Sequence, residues 1–115
     1  MKFACRGSSL KGSVAIPGSK SHTIRGVVIG ALASGESVLH EPLVSADTTS
    51  AAAALTALGA NVEQGEECWR ITGCGERLKA PEQTIDVGNS GTTLRLLMGV
   101  SALVPNATVR FTGDA

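Results

Sequence analysis

The spacing of apolar residues along the chain predicts three helices. The first apolar face comprises Ile24, Val27, Val28, Ala31 and Leu32, in a helix that begins near residues 19–21. A second face comprises Ala51, Ala54, Leu55 and Leu58, behind N-cap candidates at 45–47 and before a closing Gly59. A third comprises Leu94, Leu97, Met98 and Ala102. Within each face the apolar residues recur at intervals of three or four positions, so each face is expected to pack against a core.

Shorter segments have the composition or the alternation of strands. Apolar and small residues alternate over residues 10–16, and Pro17 and Gly18 end that run. Further strands are predicted at 37–40, at 84–87 and around Val109 and Phe111. Residues 61–63 and 69–72 flank a polar turn at 64–67, which is typical of a hairpin. The segment 73–83 is predicted to be a loop.

The order of these elements predicts an α/β fold in which a βαβαββ unit is followed by the beginning of another. An offset of 70 residues (88 − 18) pairs Gly18 with Gly88, Thr23 with Thr93, and Arg25 with Arg95. The order of strand, polar loop, helix and strand repeats with the same offset. We therefore expect an internal structural repeat, with a first unit at 18–83 and a truncated second unit at 84–115.

Composition and charge narrow the class of protein. The 115 residues are 43% hydrophobic and only 3% aromatic, which indicates one globular core filled by small aliphatic side chains. Ten basic and ten acidic residues cancel, which argues against nucleic-acid binding and against binding to an anionic membrane. No apolar run approaches about 18 residues and no secretion signal is evident, so a cytoplasmic location is predicted. The three cysteines form no C-x-x-C pair, and no metal site is predicted.

Two polar helix starts carry the candidate chemistry. Lys20 falls in the first turn of the first helix, where it repels the helix dipole unless an anion lies between them. Arg25 adds a second cation one turn later, and Asn89 lies before the third helix. A phosphate or carboxylate ligand is the functional reading; helix capping and solvated surface charge are the structural alternative. The spacings of the P-loop and of the dinucleotide-binding motif are absent.

Other polar residues have simpler interpretations. His22 and His40 are expected to be structural or surface residues. Asp47 occupies a place suited to an N-cap, and Asp86 lies in a strand that approaches a loop. Trp69 is expected to pack in the core, because a stacking platform would need further aromatic residues.

Two motifs resemble those of a known family. The first is Pro17-Gly18-Ser19-Lys20-Ser21 with Arg25, and the second is Gly88-Asn89-Ser90-Gly91-Thr92 with Arg95. They are similar to the amino-terminal motifs of 5-enolpyruvylshikimate-3-phosphate synthase, an enolpyruvyl transferase of the shikimate pathway. The resemblance runs from about residue 8 to the last residue and includes the segment at 45–48.

The resemblance implies a role for each site residue. Lys20 would contact both phosphoenolpyruvate and shikimate 3-phosphate, while Ser21 and Arg25 would bind shikimate 3-phosphate. Gly91, with Asn89 nearby, would line the phosphoenolpyruvate site. Thr92, Arg95 and Asp47 are further candidates. The family's reaction implies no cofactor and no metal.

The resemblance also implies that more chain is needed for activity. Family members have two domains, each of three βαβαββ units, with the active site between them, so this chain is expected to be a fragment that is inactive alone. Residues 1–17 would be strands that belong with the second domain. The partners implied are the two substrates and the remainder of the enzyme. Two alternatives are a fragment of the UDP-N-acetylglucosamine enolpyruvyl transferase and a non-catalytic anion-binding domain.

Overall fold

Each of the three helices within residues 1–114 has a serine at its N-cap. The structure, a computed structural model, describes residues 1–114. The helices are α1 (Lys20–Leu32), α2 (Ala46–Ala57) and α3 (Gly91–Ser101), as the apolar spacing predicts. Their N-caps are Ser19, Ser45 and Ser90, and each serine hydroxyl accepts a hydrogen bond from the backbone N–H three residues later. Asp47 is therefore not an N-cap; it lies in the first turn of α2, where its negative charge suits the helix dipole.

Within residues 1–114, five strands form two separate sheets. The strands are β1 (Ser34–His40), β2 (Asn61–Gln64), β3 (Cys68–Cys74), β4 (Ile85–Asp86) and β5 (Phe111–Thr112). The first sheet has the order β1-β3-β2, and β3 runs antiparallel to both neighbours, with Leu39 opposite Trp69 and Val62 opposite Ile71. β4 and β5 are parallel and are connected through α3. The predicted α/β class and the β2–β3 hairpin are confirmed.

The core lies between the helices and the inner face of the first sheet. Its largest fully buried side chains are Trp69, Ile24, Leu55, Leu58, Ile71 and Leu97. A side chain on Gly73 would strike the carbonyl oxygens of Ala33 and Gly30, so the absence of one lets α1 pack close to β3. The indole Nε1 of Trp69 has no hydrogen-bond partner among residues 1–114. Among the fully buried side chains of residues 1–114, Trp69 is the one aromatic residue, and Phe111 packs against the same core from a partly buried position.

The strand predicted at residues 10–16 does not form. Residues 1–17 are all exposed and contain no helix or strand. Leu10, Val14 and Ile16 are 93%, 80% and 79% exposed. A strand is stabilised by its hydrogen-bonded neighbour, and nothing in residues 1–114 pairs with this segment. The alternating pattern of residues 10–16 is typical of a strand, but no segment within residues 1–114 supplies the neighbouring strand.

The internal repeat is less regular than the sequence offset suggests. The N-caps Ser19 and Ser90 are 71 residues apart (90 − 19), not 70. Arg25 is therefore the sixth residue of α1, whereas Arg95 is the fifth residue of α3. Gly88 also has a positive φ of 54°, which Gly18 does not share. The order of loop, helix and strand recurs, but the three paired identities do not occupy equivalent helical positions. The division at residues 83 and 84 stays a prediction.

None of the helices described over residues 1–114 is long and apolar enough to cross a membrane; the longest, α1, has 13 residues.

Candidate functional site

Lys20 and Asp47 join the beginnings of two helices. Lys20 opens α1, Asp47 lies in the first turn of α2, and Lys20 Nζ is 2.6 Å from Asp47 Oδ2. The two side chains are 49% and 21% exposed, so the pair lies at the surface. The chain itself therefore supplies one negative partner for the lysine, in addition to any ligand. This contact is also why Asp47 faces the start of α1.

The segment before α2 packs closely against the start of α1. Leu43 donates its backbone N–H to Thr23 Oγ1 at 3.0 Å. A Cβ atom at Gly18 would lie 2.6 Å from the carbonyl oxygen of Glu41, so only glycine fits this approach. Glu41 itself has a positive φ of 50°. These contacts fix the position of the first loop relative to α2.

Arg25 is an exposed cation that has no acidic partner within residues 1–114. Its guanidinium donates to the carbonyl oxygen of Ser21 at 3.2 Å. Over residues 1–114, no carboxylate lies within 4.0 Å of it. Ser21 is half-buried in the first turn of α1. The positive charge of Arg25 is therefore available to a ligand from outside.

A tight turn shapes the second loop. The backbone N–H of Ser90 donates to the carbonyl of Val87 at 3.2 Å, and the N–H of Gly88 donates to Asp86 Oδ1 at 2.8 Å. Ser90 and Thr93 join their hydroxyls at 2.7 Å inside the protein. Asp86 therefore has a local structural partner in this turn.

The predicted residues of the second loop lie on an open cavity or beside it. Asn89 and Gly91 are exposed and line a cavity of about 310 Å³ together with Phe111 and Asp114. Thr92 is half-buried and Arg95 is exposed, both in the first turns of α3. Lys20, Ser21 and Arg25 do not line this cavity. The predicted residues thus form two neighbouring groups rather than one enclosed pocket.

Ser50 connects the two groups, and sequence reasoning did not identify it. Its hydroxyl lies 3.0 Å from the carbonyl oxygen of Asp47 and 3.2 Å from that of Val87. The first carbonyl belongs to Asp47, the partner of Lys20. The second, that of Val87, also accepts the Ser90 N–H, which closes the turn through Gly88 and Asn89. In the sequence, Ser50 is a polar residue immediately before the four alanines at 51–54. This polar residue at the edge of an apolar run is the one sequence feature that could have indicated its role.

The histidines lie beside the first loop but outside these groups. His22 and His40 are exposed and line a second cavity, of about 240 Å³, with Glu41 and Ser19. No cluster of three or more His, Cys, Asp or Glu side chains suited to a metal ion occurs within residues 1–114. Neither histidine forms a side-chain hydrogen bond to the groups around Lys20 or Asn89.

Comparison with known proteins identifies the family. A sequence model of EPSP synthase (3-phosphoshikimate 1-carboxyvinyltransferase) matches residues 5–115. The chain belongs to the EPSP synthase family. The resemblance carried by the two loop motifs is therefore confirmed.

Named relatives and solved structures agree with this assignment. The 3-phosphoshikimate 1-carboxyvinyltransferase of Ruminiclostridium cellulolyticum is 47% identical over 107 residues, which cover 93% of this chain and 25% of that protein. The enzyme of the same name from Methanococcus vannielii is 45% identical over 114 residues, covering 99% and 26%. The structure of EPSP synthase from Acinetobacter baumannii matches with a TM-score of 0.77 and 32% identity, covering 90% and 24%.

The chain spans about a quarter of the length of these relatives. Its fold matches the corresponding part of the solved EPSP synthase. The roles of Lys20, Ser21, Arg25, Asn89 and Gly91 stay predictions, as do those of Thr92, Arg95 and Asp47.

Proposed function

We propose that this chain supplies part of the substrate site of a 3-phosphoshikimate 1-carboxyvinyltransferase. In this reaction a hydroxyl of shikimate 3-phosphate adds to C2 of phosphoenolpyruvate while C3 is protonated. Inorganic phosphate then leaves, and the enolpyruvyl group stays on the shikimate oxygen. Family membership and the names of the relatives support this reaction over the UDP-N-acetylglucosamine transferase. No cofactor or metal enters the scheme.

The exposed, unpaired Arg25 is the observation that carries the proposal. It lies one turn after Lys20 on α1, and within residues 1–114 no carboxylate balances its charge. The start of α1 adds backbone N–H groups and the positive end of the helix dipole. A phosphate group is the natural ligand for a planar guanidinium beside a helix start. In the proposal, Arg25 and Ser21 hold the phosphate of shikimate 3-phosphate.

Lys20 and the second loop are assigned to phosphoenolpyruvate. The ammonium of Lys20 would lie between the two substrates, held in place by Asp47, and would stabilise the negative charge that they bring together. Asn89 and Gly91 would line the phosphoenolpyruvate side, where the cavity of about 310 Å³ is open. The contribution of these residues is positioning and electrostatic stabilisation rather than covalent catalysis.

The remainder of the enzyme is the other partner in the proposal. The relatives are about four times as long as this chain, so acid–base groups and the opposite wall of the cleft are assigned to the missing part. The exposed segment 1–17, with its alternating apolar residues, is assigned to a sheet of that remainder. A cytoplasmic location stays a prediction from the sequence.

NMR titration of the chain with shikimate 3-phosphate tests the substrate site. We expect amide shifts at residues 18–25, with an affinity of roughly millimolar strength, because water screens the charges of an open half-site. Arg25→Ala and Lys20→Ala should each weaken binding. Arg70→Ala is the matched control, since Arg70 is also exposed but pairs with Glu36 on the outer face of the sheet. Shifts confined to other regions, or equal losses in the control, would contradict the assignment.

A hybrid enzyme tests the reaction. Residues 1–115 can replace the matching quarter of the Ruminiclostridium cellulolyticum relative, and phosphate release from phosphoenolpyruvate can be assayed with shikimate 3-phosphate. We expect turnover that Arg25→Ala reduces and Arg70→Ala leaves intact. A folded hybrid that binds neither substrate would overturn the proposed function.

A further inference from the structure

We propose that Ser50 is a positioning residue that holds the two loops of the substrate site at a fixed distance from each other. The inference rests on the proposed function, because it concerns how the same site is built. Its starting point is the pair of distances already given, 3.0 Å to the carbonyl of Asp47 and 3.2 Å to the carbonyl of Val87. The hydroxyl has one hydrogen, which is shared between a carbonyl of its own helix and a carbonyl of the second loop in a three-centre bond, and this shared hydrogen connects the two elements.

The first acceptor ties Ser50 to the Lys20 group. Serine in a helix commonly donates to the carbonyl three or four residues earlier, and the carbonyl of Asp47 is in that position. The carboxylate of the same residue holds Lys20 Nζ at 2.6 Å. Asp47 thus contacts both the hydroxyl of Ser50, through its carbonyl oxygen, and the ammonium of Lys20, through its carboxylate.

The second acceptor ties Ser50 to the turn that carries Asn89. The carbonyl of Val87 already accepts the backbone N–H of Ser90 at 3.2 Å, which closes the turn through Gly88 and Asn89. A carbonyl oxygen has two lone pairs, so it can accept both donors. Ser50 therefore anchors the base of this turn to the first turns of α2.

This contact differs from the other helix-to-carbonyl hydroxyl bonds described in the chain. Thr48 donates to Ser45 at 3.0 Å, Thr56 donates to Ala52 at 2.9 Å and Ser101 donates to Leu97 at 2.7 Å, each to its own helix or to the N-cap of that helix. Ser50 alone among these four hydroxyls reaches a carbonyl of another element. The alanines that follow it could not make the contact.

Hydrogen exchange of the Ser90 amide tests the contact without any ligand. In Ser50→Ala we expect this amide to exchange about two- to ten-fold faster relative to the amide of Ile71, which reports opening of the central strand. Ser50→Thr keeps the hydroxyl and should restore the wild-type ratio. Ser101→Ala removes an equally half-buried serine hydroxyl and should leave the ratio unchanged. If Ser50 merely stabilised the whole fold, both amides would accelerate together, and the proposal would be wrong.

Titration with shikimate 3-phosphate tests the consequence for the site. Ser50→Ala should weaken the affinity about two- to ten-fold, while Ser50→Thr and Ser101→Ala should stay within about two-fold of wild type. Unchanged affinity in a folded Ser50→Ala variant would overturn the positioning role. Absence of binding to the wild-type chain would instead overturn the proposed function, and with it the substrate role of Ser50. The exchange ratio still decides whether Ser50 fixes the turn, so the two failures are distinguishable.

Discussion

Lys20 shows how far the residues of the site could be predicted from the sequence. Its position in the first turn of a helix required a negative partner, and that requirement could be stated from local spacing alone. The carboxylate that meets it belongs to Asp47, 27 residues away, and only the folded chain shows the contact. A surface ion pair contributes only about 0–1 kcal/mol, so the pair orients Lys20 more than it stabilises the fold. Arg25, which follows Lys20 on the same helix, has no carboxylate within 4.0 Å among residues 1–114.

Replacing Gly18 with alanine should disturb the first loop. The new Cβ would lie 2.6 Å from the carbonyl oxygen of Glu41 and 3.0 Å from the backbone nitrogen of Leu43, and backbone atoms cannot rotate away as a side chain can. We expect a loss of about 1–3 kcal/mol in the free energy of unfolding, measured by urea denaturation. Gly7→Ala is the control, because Gly7 lies in exposed backbone outside any helix or strand and a Cβ there meets no atom within 4 Å. Equal free energies of unfolding for the two variants would show that the loop adjusts to the added methyl group without loss of stability.

Helices were easier to predict than strands because their signals are local. The N-cap serine, the apolar face and the closing glycine of α2 all fall within 15 residues (59 − 45 + 1) of one another. The segment 10–16 has an equally clear alternation, but a strand also needs a neighbour, and the pattern does not say where that neighbour is. The strand predicted over residues 10–16 is absent from the structure of this chain, so that prediction is wrong. The link through Ser50 was missed because it depends on packing between elements.

Removing the N-cap of α2 should destabilise the protein measurably. The hydroxyl of Ser45 accepts the N–H of Thr48, and the hydroxyl of Thr48 accepts the N–H of Ser45, which is a reciprocal cap. Ser45→Ala should lower the free energy of unfolding by about 1 kcal/mol in urea denaturation. Ser9→Ala changes the same residue type in the exposed segment and should have no effect. A Ser45→Ala midpoint equal to that of the control would mean that the cap contributes nothing to stability.

At the scale of the whole molecule, the chain is a packed body with an extended arm. The radius of gyration is 17.3 Å, whereas a compact chain of similar length would have about 13 Å. The largest dimension is 61 Å, against 34 and 20 Å in the other directions. Residues 1–17 are wholly exposed and belong to no sheet, so they add length without adding core.

Limited trypsin digestion should remove this arm first. Lys2, Arg6 and Lys11 lie in exposed backbone without helix or strand, whereas Arg70 lies in the central strand β3. We expect mass spectrometry to show early cleavage after Lys11 and a persistent product beginning at Gly12, since cleavage requires backbone free to enter the protease. The product should unfold at the same temperature as the whole chain. Protection of the bond after Lys11 for as long as the bond after Arg70 would contradict the exposed arm.

The chain alone should not transfer enolpyruvyl groups. General acid–base catalysis contributes about 10²- to 10⁴-fold. In the proposed function the acid–base groups belong to the remainder of the enzyme, since the chain spans about a quarter of the length of its relatives. We expect no phosphate release above the uncatalysed background when shikimate 3-phosphate and phosphoenolpyruvate are supplied together. The hybrid enzyme serves as the positive control. Turnover by the isolated chain would show that the acid–base groups are already present in it.

Trp69 is fully buried, its indole N–H has no hydrogen-bond partner within residues 1–114, and it also determines the optical properties of the protein. The chain has one tryptophan and no tyrosine, so near-ultraviolet excitation above the phenylalanine band reaches a single chromophore. Its emission should be blue-shifted in the folded chain and move to longer wavelength when water enters the core. Because the ring is fully buried, this emission shift reports the integrity of the core around β3, whereas an anion that binds at the exposed loops should leave the emission unchanged.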